Sequence, residues 1–171
     1  MSHEPSPSRP ASPLAGFSDL ARWTGERKLA ELALNGVQAL DANQPLPKDN
    51  PLTGSCPRMM LTLLSYCYSR GWYGTGQIEQ AMAKDPMVRY LCARHYPDGN
   101  AIRRFRRENR PWLLACLTHI LMQAWALKLD NAEVDFLGYN WFETEFTREI
   151  NREVQLRIDL ASYIDMMELQ D

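Results

Sequence analysis

Proline and glycine divide the middle of the chain into short segments, and each segment has the periodicity of a helix. The first segment starts at Pro57, whose missing N–H is no loss at the first position of a helix, and ends at Gly71. It is apolar nearly all round, as expected of a helix at the centre of a core. No strand pattern of comparable strength occurs in the sequence before Ala132. The sequence therefore predicts an all-α fold.

Three short helices are predicted to follow this central helix. The first begins at Thr75 or Gly76, residues 85–86 separate it from the second, and residues 95–97 separate the second from the third. Pro111 then begins a long apolar helix that ends near Leu129. Short helices in this order are typical of a helix-turn-helix-like cluster, in which neighbouring helices support the one that enters a groove of DNA.

The third short helix carries five arginines between Asp98 and Arg110. Asp98 is a suitable N-cap because its carboxylate can accept hydrogen bonds from the first turn, so we expect a helix over residues 99–110. Ile102 and Phe105 fall on the side that packs. The other side is expected to present four polar residues, which are Asn100, Arg103, Arg107 and Arg110.

The arginine cluster indicates a surface that binds anions. Only Glu108 is available nearby to neutralise it, and arginine outnumbers lysine by fifteen to four in the whole chain. A guanidinium group matches phosphate oxygens and the edge of guanine better than an ammonium group does. A solvated charged face is the structural alternative. We expect double-stranded DNA to contact six residues, which are Asn100, Arg103, Arg104, Arg106, Arg107 and Arg110.

Within this set, Arg103 and Arg107 are assigned to base edges, and Arg104, Arg106 and Arg110 to phosphates. Three more arginines are expected to extend the phosphate-binding surface, which are Arg70, Arg89 and Arg94. Among the aromatic residues, only Tyr96 is considered as a contact to DNA, because aromatic rings beside arginines can stack on unpaired bases.

The formal net charge of −2 conceals a strong asymmetry. Residues 58–110 hold ten basic and four acidic side chains, residues 111–171 hold four and eleven, and residues 1–57 hold five and six. A basic surface is thus joined to an acidic element with a different role. The acidic part could repel DNA, bind a basic partner, or cover the arginines in the free protein, and the sequence does not decide among these.

The length and composition suit one compact domain with an added element. Residues 1–16 form a Ser/Pro-rich tail that is predicted to be disordered, residues 17–130 a helical domain, and residues 131–171 an acidic segment with a long helix. No run of about 18 apolar residues and no signal-peptide pattern occurs, so we expect a cytoplasmic protein with no membrane partner.

The cysteines do not indicate a metal site. There is no C-x-x-C pair, and His95 and His119 do not fall into zinc-ligand spacing with them. Cys67 and Cys116 lie in apolar helical patterns and are expected to be buried, reduced thiols. We therefore expect no metal and no cofactor.

The sequence from Thr144 onward predicts a long amphipathic helix. One apolar stripe consists of Phe146, Ile150, Val154, Ile158 and Ala161. Such a stripe can dock on the helix's own domain, or it can bind a second copy or another partner. A second apolar row makes a homodimer through this helix a serious alternative, and it consists of Leu156, Leu160, Tyr163 and Met167.

Several motifs in one order resemble the N-terminal helical domain of bacterial insertion-sequence transposases of the InsH-like group. They are CPRMMLTLLSYCYSRG, QIEQA, RYL and PDGNAIRRFRR, within roughly residues 56–128. In that family the pattern is a proline, an apolar helix that ends in Tyr and Gly, an I-E pair, and an arginine-rich helix after P-D. The resemblance implies a bacterial domain that binds DNA, in the family at the inverted-repeat ends of a mobile element.

The chain departs from that family after the helical domain. In the family a ribonuclease-H-like domain follows, in which three carboxylates hold two metal ions. Here 36 residues follow Asp135, and most of them are predicted to form the long helix. We therefore expect a transposase-derived DNA-binding protein without enzyme activity, acting as a regulator or as a separate DNA-binding subunit of a transposition system. Its place would be the bacterial cytoplasm, in association with the nucleoid. The alternative is a protein-interaction adaptor whose basic helix binds an acidic protein partner.

Overall fold

The computed structural model describes residues 18–49, 56–131 and 139–169, with side chains from 128–131 and 139–146 left out. Every regular element in these ranges is a helix, which confirms the all-α prediction. The predictions for the tail at residues 1–16, for Asp135, and for the side chain of Phe146 lie outside the described residues.

Eight helices follow one another in the described residues. They are α1 (Ala21–Thr24), α2 (Glu26–Asn43), α3 (Pro57–Ser69), α4 (Thr75–Lys84), α5 (Pro86–Leu91), α6 (Gly99–Glu108), α7 (Arg110–Asn131) and α8 (Tyr139–Glu168). None of these helices combines the length and apolar character needed to cross a membrane.

Helix α3 lies at the centre of the core, as its nearly uniform apolar character predicts. Eleven of its thirteen residues are buried. Helices α2 and α7 pack on it and on each other, and α8 packs on α7. Gly36 does not interrupt α2; a Cβ atom there would lie 3.2 Å from the His119 ring of α7, so glycine permits the close approach of the two helices. Gly25, with φ of 84°, does separate α1 from α2.

The short helices α4, α5 and α6 begin near the predicted positions, but α5 ends at Leu91, before the predicted break at residues 95–97, because Ala93 and Arg94 have positive φ. Asp85 caps α5 by accepting hydrogen bonds from the backbone N–H groups of Met87 and Val88, at 2.8 and 3.0 Å. Asp98 caps α6 by accepting from Ala101 at 2.8 Å. Each cap satisfies donors that have no partner within the helix, so it fixes where the helix starts.

The predicted helix over residues 99–110 is wrong at its C-terminal end, because α6 ends at Glu108 and Arg110 belongs to α7. The chain turns at Asn109, whose side-chain amide donates to the carbonyl of Phe105 at 2.9 Å. Pro111 has no N–H with which to continue the hydrogen bonds of α6, so the break falls just before it. Arg110 is therefore oriented by α7 and not by α6.

Helix α8 begins at Tyr139, five residues before the predicted start. Its apolar stripe docks on its own domain: Ile150, Val154, Ile158 and Ala161 are all buried in the same core as α3. The second apolar row remains exposed, with Leu156, Leu160, Tyr163 and Met167 between 39% and 58% accessible.

Candidate nucleic-acid interface

The five arginines of the cluster divide into two groups in the structure. Arg103, Arg106 and Arg110 pair with acidic side chains of α8. Arg104 and Arg107 are exposed, and within the described residues neither forms an ion pair. Of the three roles that the charge asymmetry left open for the acidic segment, the geometry fits the third, in which it covers part of the arginine cluster.

Arg106 is enclosed by protein, and its side chain is only 4% exposed. It forms a two-pronged ion pair with the Asp165 carboxylate of α8. Its remaining nitrogen donates to the Tyr68 hydroxyl at 3.2 Å and to the Tyr73 carbonyl at 2.7 Å. A guanidinium group with this many partners is positioned to hold α8 against α3 and is not presented to a phosphate.

Arg103 and Arg110 form the flanking pairs. Arg103 donates to Glu168 at 3.1 Å and to the buried Thr75 hydroxyl at 3.1 Å, and Arg110 donates to Asp159 at 2.6 Å. The hydrogen bond from Arg103 lowers the pKa of Glu168, and the hydrogen bond from Arg110 lowers the pKa of Asp159. Both shifts have the sign expected when a carboxylate gains a cationic donor.

Two arginines outside the cluster also hold the fold together. Arg157 of α8, 1% exposed, donates to the Tyr68 carbonyl at the end of α3 at 2.6 Å and to the Ser18 carbonyl before α1 at 3.2 Å, so it joins three parts of the chain. Arg70 pairs with Asp19 and Glu26 and lies over the Trp72 ring at 4.4 Å. Because its guanidinium group is occupied by these partners, Arg70 does not extend a phosphate-binding surface.

Four exposed arginines lie on α5, on α6 and in the turn between these helices. Arg104 and Arg107 extend from α6, where Asn100 is also exposed and accepts from Arg103 at 3.1 Å. Arg89 is exposed on α5, and Arg94 is exposed in the turn after it, where Ala93 and Arg94 have φ of 48° and 68°. In the part of the chain that the structure describes, none of these four arginines forms an ion pair with an acidic side chain.

The cysteines and the acidic side chains offer no metal centre within the described residues, where no three His, Cys, Asp or Glu side chains converge. The four cysteines are free thiols, and Cys67, Cys92 and Cys116 are buried, as expected for Cys67 and Cys116. Burial raises the pKa of Cys92 to about 11 and that of Cys116 to about 12.

The acidic partners on α8 were missed by sequence reasoning. The charge asymmetry left open that an acidic segment covers the arginines, but no local spacing singles out Asp159, Asp165 and Glu168 among the eleven acidic residues after Arg110. Arg157 was missed because an arginine on an amphipathic helix is ordinarily expected in solvent.

Residues 40–108 match the family model described as Transposase domain (DUF772). This segment extends from the end of α2 to the end of α6 and includes Arg104 and Arg107. Over these residues the chain is transposase-related, in agreement with the resemblance seen in the sequence. Neither a curated protein nor a solved structure shows significant similarity to the chain.

Proposed function

We propose that this chain is a transposase-derived DNA-binding protein without nuclease activity, and that it binds duplex DNA through the exposed side of α6. The transposase-domain match supports a role connected with transposition. The matched segment includes the whole of α6. The single observation that carries the proposal is the exposure of Arg104 and Arg107 on a helix whose other arginines are already paired.

The paired arginines favour binding on the exposed side over displacement of α8. To uncover Arg106, α8 would have to expose Ile150, Val154 and Ile158, which are at most 3% accessible. Exposing three such side chains costs roughly 5–9 kcal/mol, which is comparable to the whole stability of many domains. DNA binding through Arg104 and Arg107 needs no such change.

The pairing of three arginines with α8 changes the proposed roles of the six candidate residues. We assign Arg107 to a base edge and Arg104 to a phosphate, with Asn100 at the rim of the contact and Arg89 and Arg94 on neighbouring phosphates. Arg103, Arg106 and Arg110 are assigned to holding α8, and this fixes the orientation of α6. Helices α4 and α5 would support α6 in the manner of a helix-turn-helix, with α6 as the helix that enters the major groove.

We further propose that the protein acts as a regulator or as a separate DNA-binding subunit of a transposition system in the bacterial cytoplasm. The lack of nuclease activity is part of this proposal; within the described residues, no three His, Cys, Asp or Glu side chains converge in the way that strand cleavage with two metal ions requires. Incubation with supercoiled plasmid and Mg²⁺ or Mn²⁺ tests this point, and nicked or linear product would contradict it.

A homodimer formed through α8 would complete this DNA-binding unit. The exposed row at 156, 160, 163 and 167 has steps of four, three and four residues, which is the spacing of a helix–helix seam. A two-fold dimer would present two copies of α6 to two half-sites.

The test of DNA binding is fluorescence anisotropy with a labelled duplex across a salt series. We expect a log–log slope of about −3 for the native chain, from about 0.9 for each of the three phosphates assigned to Arg89, Arg94 and Arg104. Arg104→Ala/Arg107→Ala should weaken binding at least about tenfold, and it should reduce the slope by about 1 because only Arg104 of the two is assigned to a phosphate. Arg22→Ala/Arg27→Ala is the matched control, because it removes the same charge from two exposed arginines outside the matched segment.

Equal loss of affinity in both double variants would contradict the assignment to α6, since it would show that only net charge matters. No binding by the folded native chain at low salt would overturn the DNA proposal. The alternative of an adaptor for an acidic protein would then take its place, and it has support in the acidic helix that already contacts Arg103 and Arg106.

A further inference from the structure

A cleft of about 420 Å³ opens beside the exposed side of α6, and nothing in the family match assigns it a ligand. Its walls come from the start of α3, from the link between α5 and α6, and from α6 itself. Its volume lies within the range of small-ligand sites, about 300–1,000 Å³. It is therefore large enough to hold one nucleotide-sized group.

The inner wall of the cleft is apolar. Met60 and Phe105 are almost fully buried there, Met59 is half-buried, and prolines 47, 57 and 97 add further apolar surface. Tyr96 lines the cleft from the link before α6, and 52% of its surface remains accessible. An exposed aromatic ring beside an apolar wall suits a flat apolar group that can stack on it.

Polar groups lie at the mouth of the cleft and differ in sign. Arg104 provides a cation, whereas Glu108, one turn further along α6, provides an anion. Asn109 uses its amide nitrogen on the Phe105 carbonyl, which leaves the amide oxygen as an acceptor. The matching occupant therefore carries a negative charge at one end, a flat body, and N–H donors at its edge.

A nucleotide with an amino-substituted base has this distribution of groups. Its phosphate would pair with Arg104, its ring would stack on Tyr96, and its exocyclic amine would donate to Glu108 or Asn109. Glu108 would repel a phosphate placed close to it, so the base and not the backbone must occupy that side. The cleft adjoins Arg104, which places it at the edge of the proposed duplex-binding surface.

We propose that this cleft receives an unstacked, amino-bearing base from DNA that is bound along α6. The inference rests on the proposed DNA binding and deepens it, because it makes an unpaired base part of the recognised structure. Removing a base from its stack costs a few kcal/mol in a paired duplex and far less where the base is already unpaired. The protein should therefore prefer DNA with an unpaired base over fully paired DNA.

The experiment compares anisotropy titrations of two duplexes, one fully paired and one identical except for a single bulged adenine. We expect the native chain to bind the bulged duplex about tenfold more tightly, a ratio typical of one base stacked on an aromatic ring. Tyr96→Ala should remove this preference, and Tyr96→Phe should retain it because the ring is kept. Tyr90→Ala is the matched control, since Tyr90 is 69% exposed on α5 and does not line the cleft.

The outcomes separate this inference from the function on which it rests. Binding of both duplexes with equal affinity, still dependent on Arg104 and Arg107, would overturn the cleft assignment and leave the duplex-binding proposal in place. A bulge preference that survives in Tyr96→Ala would also overturn it. Failure of the native chain to bind either duplex would overturn the proposed function instead. Thermal unfolding of each variant by circular dichroism establishes that it is folded.

Discussion

At the scale of single residues, the pairing of Arg106 with Asp165 illustrates how charge is used inside this protein. The pair is enclosed, and the guanidinium has two further acceptors in Tyr68 and Tyr73. A buried ion pair adds little stability compared with apolar packing, but removal of one partner leaves an uncompensated charge in a poorly solvated place. Asp165 is therefore far more sensitive to substitution than an exposed acidic residue on the same helix.

We predict that Asp165→Asn lowers the free energy of unfolding by about 3–5 kcal/mol, because it leaves Arg106 without its counter-charge. Asp159→Asn serves as the control, since Asp159 pairs with Arg110 at an exposed position and its loss should change stability little. Urea unfolding followed by circular dichroism measures both. Similar destabilisation by the two substitutions would show that the Arg106 pair is no more important than a surface pair.

At the scale of helices, most boundaries could be predicted because their signals are local. Pro57, Asp85 and Asp98 act on the backbone within a few residues, and the structure has helix starts at each. The turn at Asn109 was missed, because a helix wheel carries the periodicity of α6 smoothly through to Arg110. The wheel also placed Arg103 on the solvent side, whereas α8 covers that position in the structure.

The turn after α3 provides the element-scale prediction. Gly71 has φ of 78°, and a Cβ atom there would lie 2.7 Å from the Ser18 carbonyl oxygen. Gly71→Ala should lower the free energy of unfolding by about 2 kcal/mol or more, through backbone strain and this contact. Gly76→Ala, in the first turn of α4 with open space around it, should be neutral or stabilise by up to about 1 kcal/mol. Thermal and urea unfolding compare the two, and equal effects would contradict the strain argument.

At the scale of the whole molecule, the contacts that determine which arginines are covered join residues that are far apart in the sequence. Arg106 and Asp165 are 59 positions apart, so no pattern within one segment could show that Arg106 is covered while Arg104 is not. The sequence could predict that an acidic segment and an arginine cluster exist in one chain. It could not predict which carboxylate meets which arginine, since that depends on how α8 crosses α7 and α3.

The exposed row on α8 leads to a prediction about assembly. If it forms a helix–helix seam, Leu160→Glu should shift the chain from dimer to monomer by placing a charge in that seam. Leu34→Glu is the control, because Leu34 on α2 is exposed to a similar degree, 42% against 39% for Leu160. Sedimentation velocity over a concentration series measures the outcome. A native chain that stays monomeric at all concentrations would contradict the dimer.

The order in which the chain is made gives the Arg106–Asp165 contact a consequence during translation. At about 5–20 residues per second, the 59 residues from Arg107 to Asp165 take roughly 3–12 seconds to add. During that time the three arginines have been made, but their carboxylate partners on α8 have not. These arginines can be neutralised only after α8 has been made, so the unfinished chain carries more unpaired positive charge on this side than the folded protein does.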